Sequence, residues 1–404
     1  MPGILPQNSI LKKTFLFKLL AKTYDIFILR RQYIKTNATI RTIPDDVHHF
    51  YFFPFYHTGG AEKVHADIIK SIHPEKQVVF FTDRSADDKF KSSFWNHAKC
   101  IDLFYLLRND KYREKVLDTI IHRLNRTSHN IVFSSNSIEF YQTIVPALND
   151  QNTCVDLIHA FVHEGEPGSE YWSLPVTEKL QKRVVVCNAV KQNLQSHYLK
   201  YNIDPVLNDR IEIIYNKVDI NDNNTYNQKD KQEFNVLCIG RNSPEKRVNL
   251  MIEVAAELTQ ITTFDFFFIG PGMDELINIH GNPRIHFIGN SSTDEIYKYY
   301  TTGHALLLLS SREGLPLVLL EAMSCGVVPV CTDVGGIGEF VKVDTGFLID
   351  CNNDDIRKNA VSVLMELYNN RGLLERLSAN CVALINKSSS SAKFSESYNT
   401  ILKY

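Results

Sequence analysis

The 404-residue chain contains no apolar run approaching the roughly 18 residues that cross a bilayer, which excludes a transmembrane helix from its expected architecture. It contains no Cys-x-x-Cys pair either: Cys100, Cys154, Cys187, Cys238, Cys325, Cys331, Cys351 and Cys381 are scattered, mostly in apolar runs. That scatter argues against zinc sites and disulfide frameworks, and reads as buried thiols in a reducing compartment. No sign of charge dominates. The 44 basic and 46 acidic residues leave a net charge of −2, so no global field draws the chain to nucleic acid. Internal repeats are absent, and the only biased segments are the serine run 388–391 and an Asn-rich stretch, 221–233. The expected location is cytoplasmic.

What is there is alternation. From Val47 onward, short apolar runs suited to buried strands alternate with helical patterns: His48 to Pro54, Lys76 to Thr82, Ile101 to Leu106, Asn130 to Ser135, Cys154 to His159, Arg183 to Cys187 and Ile211 to Tyr215. The polar stretch 221–233 then interrupts the pattern, and a second series begins at Phe234 to Gly240, with further strands at Asp265 to Gly270 and Arg284 to Gly289. Strands alternating with helices imply doubly wound parallel sheets, whose ligands sit beyond the carboxyl ends of the strands. The predicted organisation is an extension over 1–46, a first α/β domain over 47–220, a linker over 221–233 and a second α/β domain over 234–389. A last helix, 390–404, returns to the first domain.

The stretch Ser310 to Glu339, SSREGLPLVLLEAMSCGVVPVCTDVGGIGE, carries the most chemistry. It follows the apolar run 304–309 and contains another around Pro329, with a turn and a helix between. The spacing predicts a helix from near Pro316 to Gly326, whose first N–H groups and dipole end face whatever sits before the turn, an anion site. Glu313 in that turn and Glu321 in the helix are separated by seven residues and can face one cleft. A carboxylate accepts hydrogen bonds from vicinal hydroxyls.

Glu313-Gly-Leu-Pro-Leu-Val-Leu-Leu-Glu321, continued by Gly326, Pro329, Gly335-Gly336 and Glu339, closely resembles the Glu-x7-Glu signature of retaining glycosyltransferases of family four. The resemblance implies a GT-B fold, two Rossmann-like doubly wound domains facing a central cleft. It covers roughly residues 47–404. Gly59-Gly60-Ala-Glu62-Lys after the first strand resembles that family's N-terminal loop, where two glycines let a phosphate or sugar approach the backbone. Gly240-Arg241 with Lys246 resembles its Gly-Arg-x4-Lys pattern, which implies a diphosphate held by both cations. Gly289-Asn290 stands where the family seats the base, and His159 where a family histidine lies beside the donor sugar.

By the same resemblance Glu321 takes the ribose hydroxyls and Glu313 the donor sugar, with backbone N–H groups of Gly314, Leu315 and Leu317 on sugar and phosphate. His159, Glu313, Arg241 and Lys246 form the implied catalytic set. Two departures stand out. Lys217 replaces the usual Gly of an Asn-Gly-Val-Asp segment, and Gly303-His304 replaces a common Ala-Asp. No Asp-x-Asp occurs, so the implied site has neither metal nor cofactor, only a nucleotide-sugar donor and a glycan or lipid-linked acceptor. The loop residues His163, Glu164, Glu166, Tyr171 and Trp172 are candidates for the acceptor pocket. The alternatives are a nucleotide-sugar epimerase of the same architecture and a non-catalytic nucleotide-sugar-binding scaffold.

The first 46 residues lie outside the resemblance. Over 9–36 a basic, aromatic-rich amphipathic helix is expected, with Lys12, Lys13, Lys18, Lys22, Arg30, Arg31 and Lys35 against the single acid Asp25. Lys18 and Lys22 interrupt the apolar positions, which argues against a signal peptide. Two readings stay open: a helix lying on an anionic membrane surface, on the inner face of the cell membrane, or one packed on the first domain with its lysines solvated.

Overall fold

The computed structural model describes residues 27–72, 77–161, 168–218, 233–261, 263–277, 281–352 and 355–403. The expected linker 221–233 therefore lies almost wholly outside the described residues, as do 9–26 of the expected basic helix.

Two parallel sheets make up the molecule. The first runs β3-β2-β1-β4-β5-β6-β7, from β1 (His49–Phe53), β2 (Gln77–Phe81), β3 (Lys99–Asp102), β4 (Asn130–Ser135), β5 (Asn152–Ile158), β6 (Leu180–Val185) and β7 (Ile211–Ile213). The second runs β10-β9-β8-β11-β12-β13, from β8 (Phe234–Ile239), β9 (Phe264–Ile269), β10 (Ile285–Ile288), β11 (Ala305–Leu308), β12 (Val328–Thr332) and β13 (Phe347–Ile349). Every residue of β2, β4, β8, β11 and β12 is buried, as strands covered by helices on both faces must be. Apolar runs without alternation are therefore what the sequence shows at these strands.

In each sheet the winding reverses beside the first strand. β1 pairs with β2 on one side and β4 on the other; β8 pairs with β9 and β11. Such a reversal opens a crevice at the carboxyl ends of the strands. The segments leaving β1, β8 and β11 are Phe55 to Gly60, Gly240 to Arg247 and Leu309 to Pro316, so all three sequence motifs fall at switch points.

Strand ends differ from the sequence expectation by up to three residues, and β3 by more. It covers Lys99–Asp102 rather than starting at Ile101, because Asp102 accepts the Phe104 amide and starts a short helix, Phe104–Leu107. The helix after the Glu313 turn runs Leu317–Ser324, with Pro316 just before its first residue.

Helix α1, residues 27–41, packs on the first sheet's outer layer. Tyr33 stacks on Tyr112 with ring centroids 5.0 Å apart, Asn37 accepts from Thr119 at 2.6 Å, and Ile40 is fully buried. Its other face keeps Phe27, Ile28 and Ile34 exposed beside Arg30, Arg31 and Lys35. The final helix, Ser391–Ile401, also sits on the first sheet's side. The Leu402 carbonyl is 2.9 Å from His49 Nε2, and Asn399 donates to the Ser71 carbonyl.

Both departures noted above are absorbed by packing. Lys217 reaches Asp67 at 3.3 Å, both nearly buried. His304 is buried, takes the Asn235 amide on Nδ1 at 3.1 Å and stacks on Phe234. No helix among the described residues is long and apolar enough to cross a membrane.

Candidate active site

The switch points of the two sheets face each other across a cleft of about 400 Å³. Of the residues singled out from sequence, Gly59, Gly60, His159, Gly240, Arg241, Lys246, Asn290, Glu313, Gly314, Leu315, Leu317 and Glu321 all line it. Gly289 does not; its α-hydrogen side faces the Asp274 carboxylate instead.

The base of the cleft is where the halves touch; Gly314 permits the approach, and Gly335 backs the turn that carries it. A β-carbon on Gly314 would fall 1.8 Å from the His159 carbonyl oxygen. Gly335, with φ of +57°, lies against the Glu313 and Gly314 carbonyls, a conformation and a proximity that an L side chain rarely allows. Asn216 donates to the Leu315 carbonyl at 3.2 Å. Glu339 reaches across to the other half: it accepts the Ala189 amide, at the start of the helix Asn188–Lys200, at 3.0 Å and the Tyr215 hydroxyl at 2.8 Å. The carboxylate at a helix N-terminus is favourably placed, so Glu339 acts as a strut between the halves.

Two ion pairs stand in the cleft. Glu313 holds Lys246 at 2.5 Å and accepts from Ser310 Oγ at 2.7 Å. Glu321 holds Lys63 at 2.5 Å and accepts from the fully buried Tyr300 hydroxyl at 3.0 Å. Lys63 comes from helix α2 (Gly60–Ser71), on the opposite side of the cleft from Glu321. Arg241 is the exposed cation of the set, 72% exposed and 3.8 Å from Glu245. Positive and negative groups thus alternate within one partly enclosed space. Each carboxylate keeps lone pairs for a hydroxylated ligand once its cation moves to an anionic one.

On the first half, Glu62 folds toward His57 at 3.8 Å. Burial raises its carboxyl pKa, while its own backbone N–H, His57 and Arg241 oppose the rise. His159 sits at the end of β5 with its side chain 3.0 Å from His65 of α2. Burial lowers its pKa to about 4, so the ring is neutral at physiological pH.

The aromatic residues expected at an acceptor pocket are elsewhere. Tyr171 packs edge-on against His197 and Tyr201, and Trp172 packs on the first domain's outer core; neither lines the cleft. His163, Glu164 and Glu166 lie outside the described residues. Lys63, Tyr300 and His65 were not singled out from sequence. Lys63 stands inside the recognised Gly-Gly-Ala-Glu-Lys loop, but nothing local in sequence marks Tyr300 or His65.

Two facing parallel α/β layers with the ligand-bearing loops at both switch points define the GT-B fold, and residues 219–381 match the family model described as Glycosyl transferases group 1. The chain has the GT-B fold, and its second half is similar to that family of glycosyltransferases. An uncharacterized glycosyltransferase of Methanocaldococcus jannaschii is 31% identical over 193 residues, 46% of this chain and 51% of that protein. N-acetyl-alpha-D-glucosaminyl L-malate synthase of Bacillus anthracis is 29% identical over 186 residues, 41% of this chain and 48% of that protein. The chain thus spans about half the length of these two curated relatives. Anabaena HepE, crystallised with UDP-glucose, superposes with a TM-score of 0.68 at 16% identity, over 88% of this chain and 99% of that one. The lipopolysaccharide outer core galactosyltransferase WaaB superposes with a TM-score of 0.63 at 18% identity, over 87% and 99%. At such identities the likeness speaks for the fold.

Proposed function

We propose that the protein is a retaining, metal-independent glycosyltransferase that moves a hexose-type sugar from a nucleotide-sugar donor to a glycan or lipid-linked glycan acceptor. The observation that carries this reading is the pairing of Glu313 with Lys246 and Glu321 with Lys63 in one cleft, at the switch points of two facing sheets. Both carboxylates are suited to hydroxyls and both lysines to phosphate. The helix Leu317–Ser324 adds its N–H groups and positive dipole end beside them.

In this reading the ribose hydroxyls take the place of Lys63 on Glu321, and the freed ammonium turns to the diphosphate. Lys246, Arg241 and the helix N-terminus neutralise the charge that grows on the departing diphosphate, the task a divalent cation performs in other sites. The three groups together carry enough positive charge for that task, which supports metal independence. The acceptor hydroxyl attacks from the face the diphosphate leaves: the anomeric carbon–oxygen bond breaks, the new glycosidic bond forms on the same face, and the leaving phosphate oxygen takes the acceptor's proton. No protein nucleophile is consumed. Orientation of donor and acceptor supplies much of the acceleration, worth up to roughly 7–11 kcal/mol in well-aligned cases.

The test is thermal stability against UDP-, GDP-, ADP- and CMP-sugars, with EDTA present, comparing wild type with Glu321→Ala. A rise in Tm with one nucleotide class in wild type, lost in the variant, is the expected result. No rise with any class overturns the donor assignment. Conversion of the donor without acceptor would make the protein an epimerase, and binding without any conversion a scaffold.

The exposed face of α1 supports a place at the membrane surface, with envelope polysaccharide as the product. Phe27, Ile28 and Ile34 share that face with Arg30, Arg31 and Lys35. At about 1 kcal/mol per basic residue near an anionic surface, reversing Arg30, Arg31 and Lys35 to Glu is expected to weaken binding to phosphatidylglycerol vesicles by at least about 10²-fold. Equal binding by wild type and the triple variant in a sedimentation assay would remove the membrane role of this face.

A further inference from the structure

His65 lies on α2, fully buried, and no motif contains it. Its ring stacks flat on Phe53, with centroids 4.2 Å apart and planes within 5°, so it has one orientation. From there its Nε2 meets the Nε2 of His159 at 3.0 Å, the two rings tilted by 52°. A contact between two ring nitrogens at this distance holds a single proton: two N–H groups would collide and two lone pairs would repel. Burial keeps both rings from taking up a second one.

Which ring donates follows from the far side of His65. Its Nδ1 is buried and has no hydrogen-bond partner among the described residues. If the His65 proton sat on Nδ1, that N–H would be orphaned; if it sits on Nε2, only a lone pair is left bare. Orphaned buried N–H groups are the rarer defect in folded proteins. The His65 proton therefore belongs on Nε2, His159 accepts it, and the proton of His159 is forced onto its own Nδ1. His159 lines the cleft, and its Nδ1 makes no hydrogen bond among the described residues.

We infer that His65 is a positioning residue that fixes the tautomer and ring orientation of His159, so that His159 offers a neutral Nδ1–H to a hydroxyl of the sugar bound in the cleft. A neutral donor suits that place. An imidazolium would repel the positive charge that develops at the anomeric carbon as the diphosphate departs, whereas a preoriented N–H holds the ring without opposing it. The sugar-binding part of this inference rests on the glycosyltransferase reading; the tautomer does not.

The experiment is two-bond ¹H–¹⁵N correlation NMR on the full chain labelled with ¹⁵N-histidine, with His159 assigned by the loss of its signals in His159→Gln. His159 is expected as the Nδ1–H tautomer in wild type. In His65→Leu it should become a mixture or the Nε2–H form. In His65→Gln, whose amide N–H₂ takes the place of Nε2–H, it should remain Nδ1–H. Transfer kinetics should follow: kcat about 10–10² lower in His65→Leu with KM little changed, and within about threefold of wild type in His65→Gln. Nε2–H His159 in the wild-type protein, or an unchanged tautomer in folded His65→Leu, overturns the inference. Should His65→Leu fail to fold, the wild-type and His65→Gln spectra decide it. A wild-type Nδ1–H tautomer in a protein that transfers no sugar would leave the His65 device standing and refute the glycosyltransferase reading alone.

Discussion

Lys246→Ala lowers turnover by about 10²–10³-fold, the effect of removing one preoriented group from a developing negative charge in a water-poor site. The expected loss falls mainly in kcat, because the charge on the leaving diphosphate is larger in the transition state than in the bound donor. The fold should survive. Glu313 keeps the Ser310 hydroxyl at 2.7 Å, and its side chain retains 9% exposure, so the carboxylate is not stranded without a partner. Lys246→Arg is expected to recover only part of the rate. The lysine ammonium reaches Glu313 at 2.5 Å through a compact head, and a planar guanidinium fork cannot occupy the same space with the same single contact. Initial rates with the donor class found by thermal shift, together with a melting curve for each variant, check both statements. Wild-type turnover in Lys246→Ala would remove the diphosphate assignment, and a collapsed melting transition would mean that the pair serves the fold rather than the chemistry.

The fold was readable because parallel strands buried on both faces leave apolar stretches without alternation, such as VVFF in β2 and ALLL in β11, and because the polar stretch after Tyr215 to Asp219 separates the two series. The second half of the cleft was readable for a different reason. Glu313, Glu321, Arg241 and Lys246 lie on two short local motifs whose shape is set by a strand end and a helix start. What stayed hidden are contacts made across large sequence distances. Lys63 and Glu321 are 258 residues apart, and His65 and His159 are 94 apart. Such a pair leaves no periodicity and no spacing: Lys63 meets Glu321 only where one half docks on the other, and His65 meets His159 only where α2 packs on the first sheet. Tyr171 and Trp172, candidates for the acceptor pocket, likewise make contacts that local sequence does not mark, and neither lines the cleft. An aromatic-rich loop after a strand end looks like a ligand pocket, but His197 and Tyr201 of the neighbouring helical segment supply a protein surface for Tyr171 to pack on. Lys217 shows the converse: a residue that departs from the family pattern was accommodated because Asp67, 150 positions earlier in the chain, lies within 3.3 Å.

Gly314→Ala is expected to abolish useful turnover while leaving both halves folded. Its β-carbon would lie 1.8 Å from the His159 carbonyl oxygen, 2.9 Å from the carbonyl carbon and 3.3 Å from the Ala160 α-carbon. All three are backbone atoms at the end of β5, so no side-chain rotation relieves the clash. The turn holding Glu313 must retreat by an ångström or more, and that turn is braced from behind by Gly336, whose amide donates to the Gly314 carbonyl at 2.6 Å. The movement separates Glu313 and Lys246 from His159, the groups that must act on one sugar together. A misplacement of about 1 Å can cost roughly 10² in rate, and a larger loss is expected here because the two faces of the cleft move apart as units. Nucleotide binding should persist, since Glu321 and Tyr300 belong to the second half and keep their contact. The separation should appear as a larger radius of gyration by small-angle scattering and as a retained Tm rise with nucleotide. Turnover at the wild-type rate would show that the approach of Gly314 to His159 is not required for transfer. A lost melting transition would show instead that this contact holds the whole molecule together.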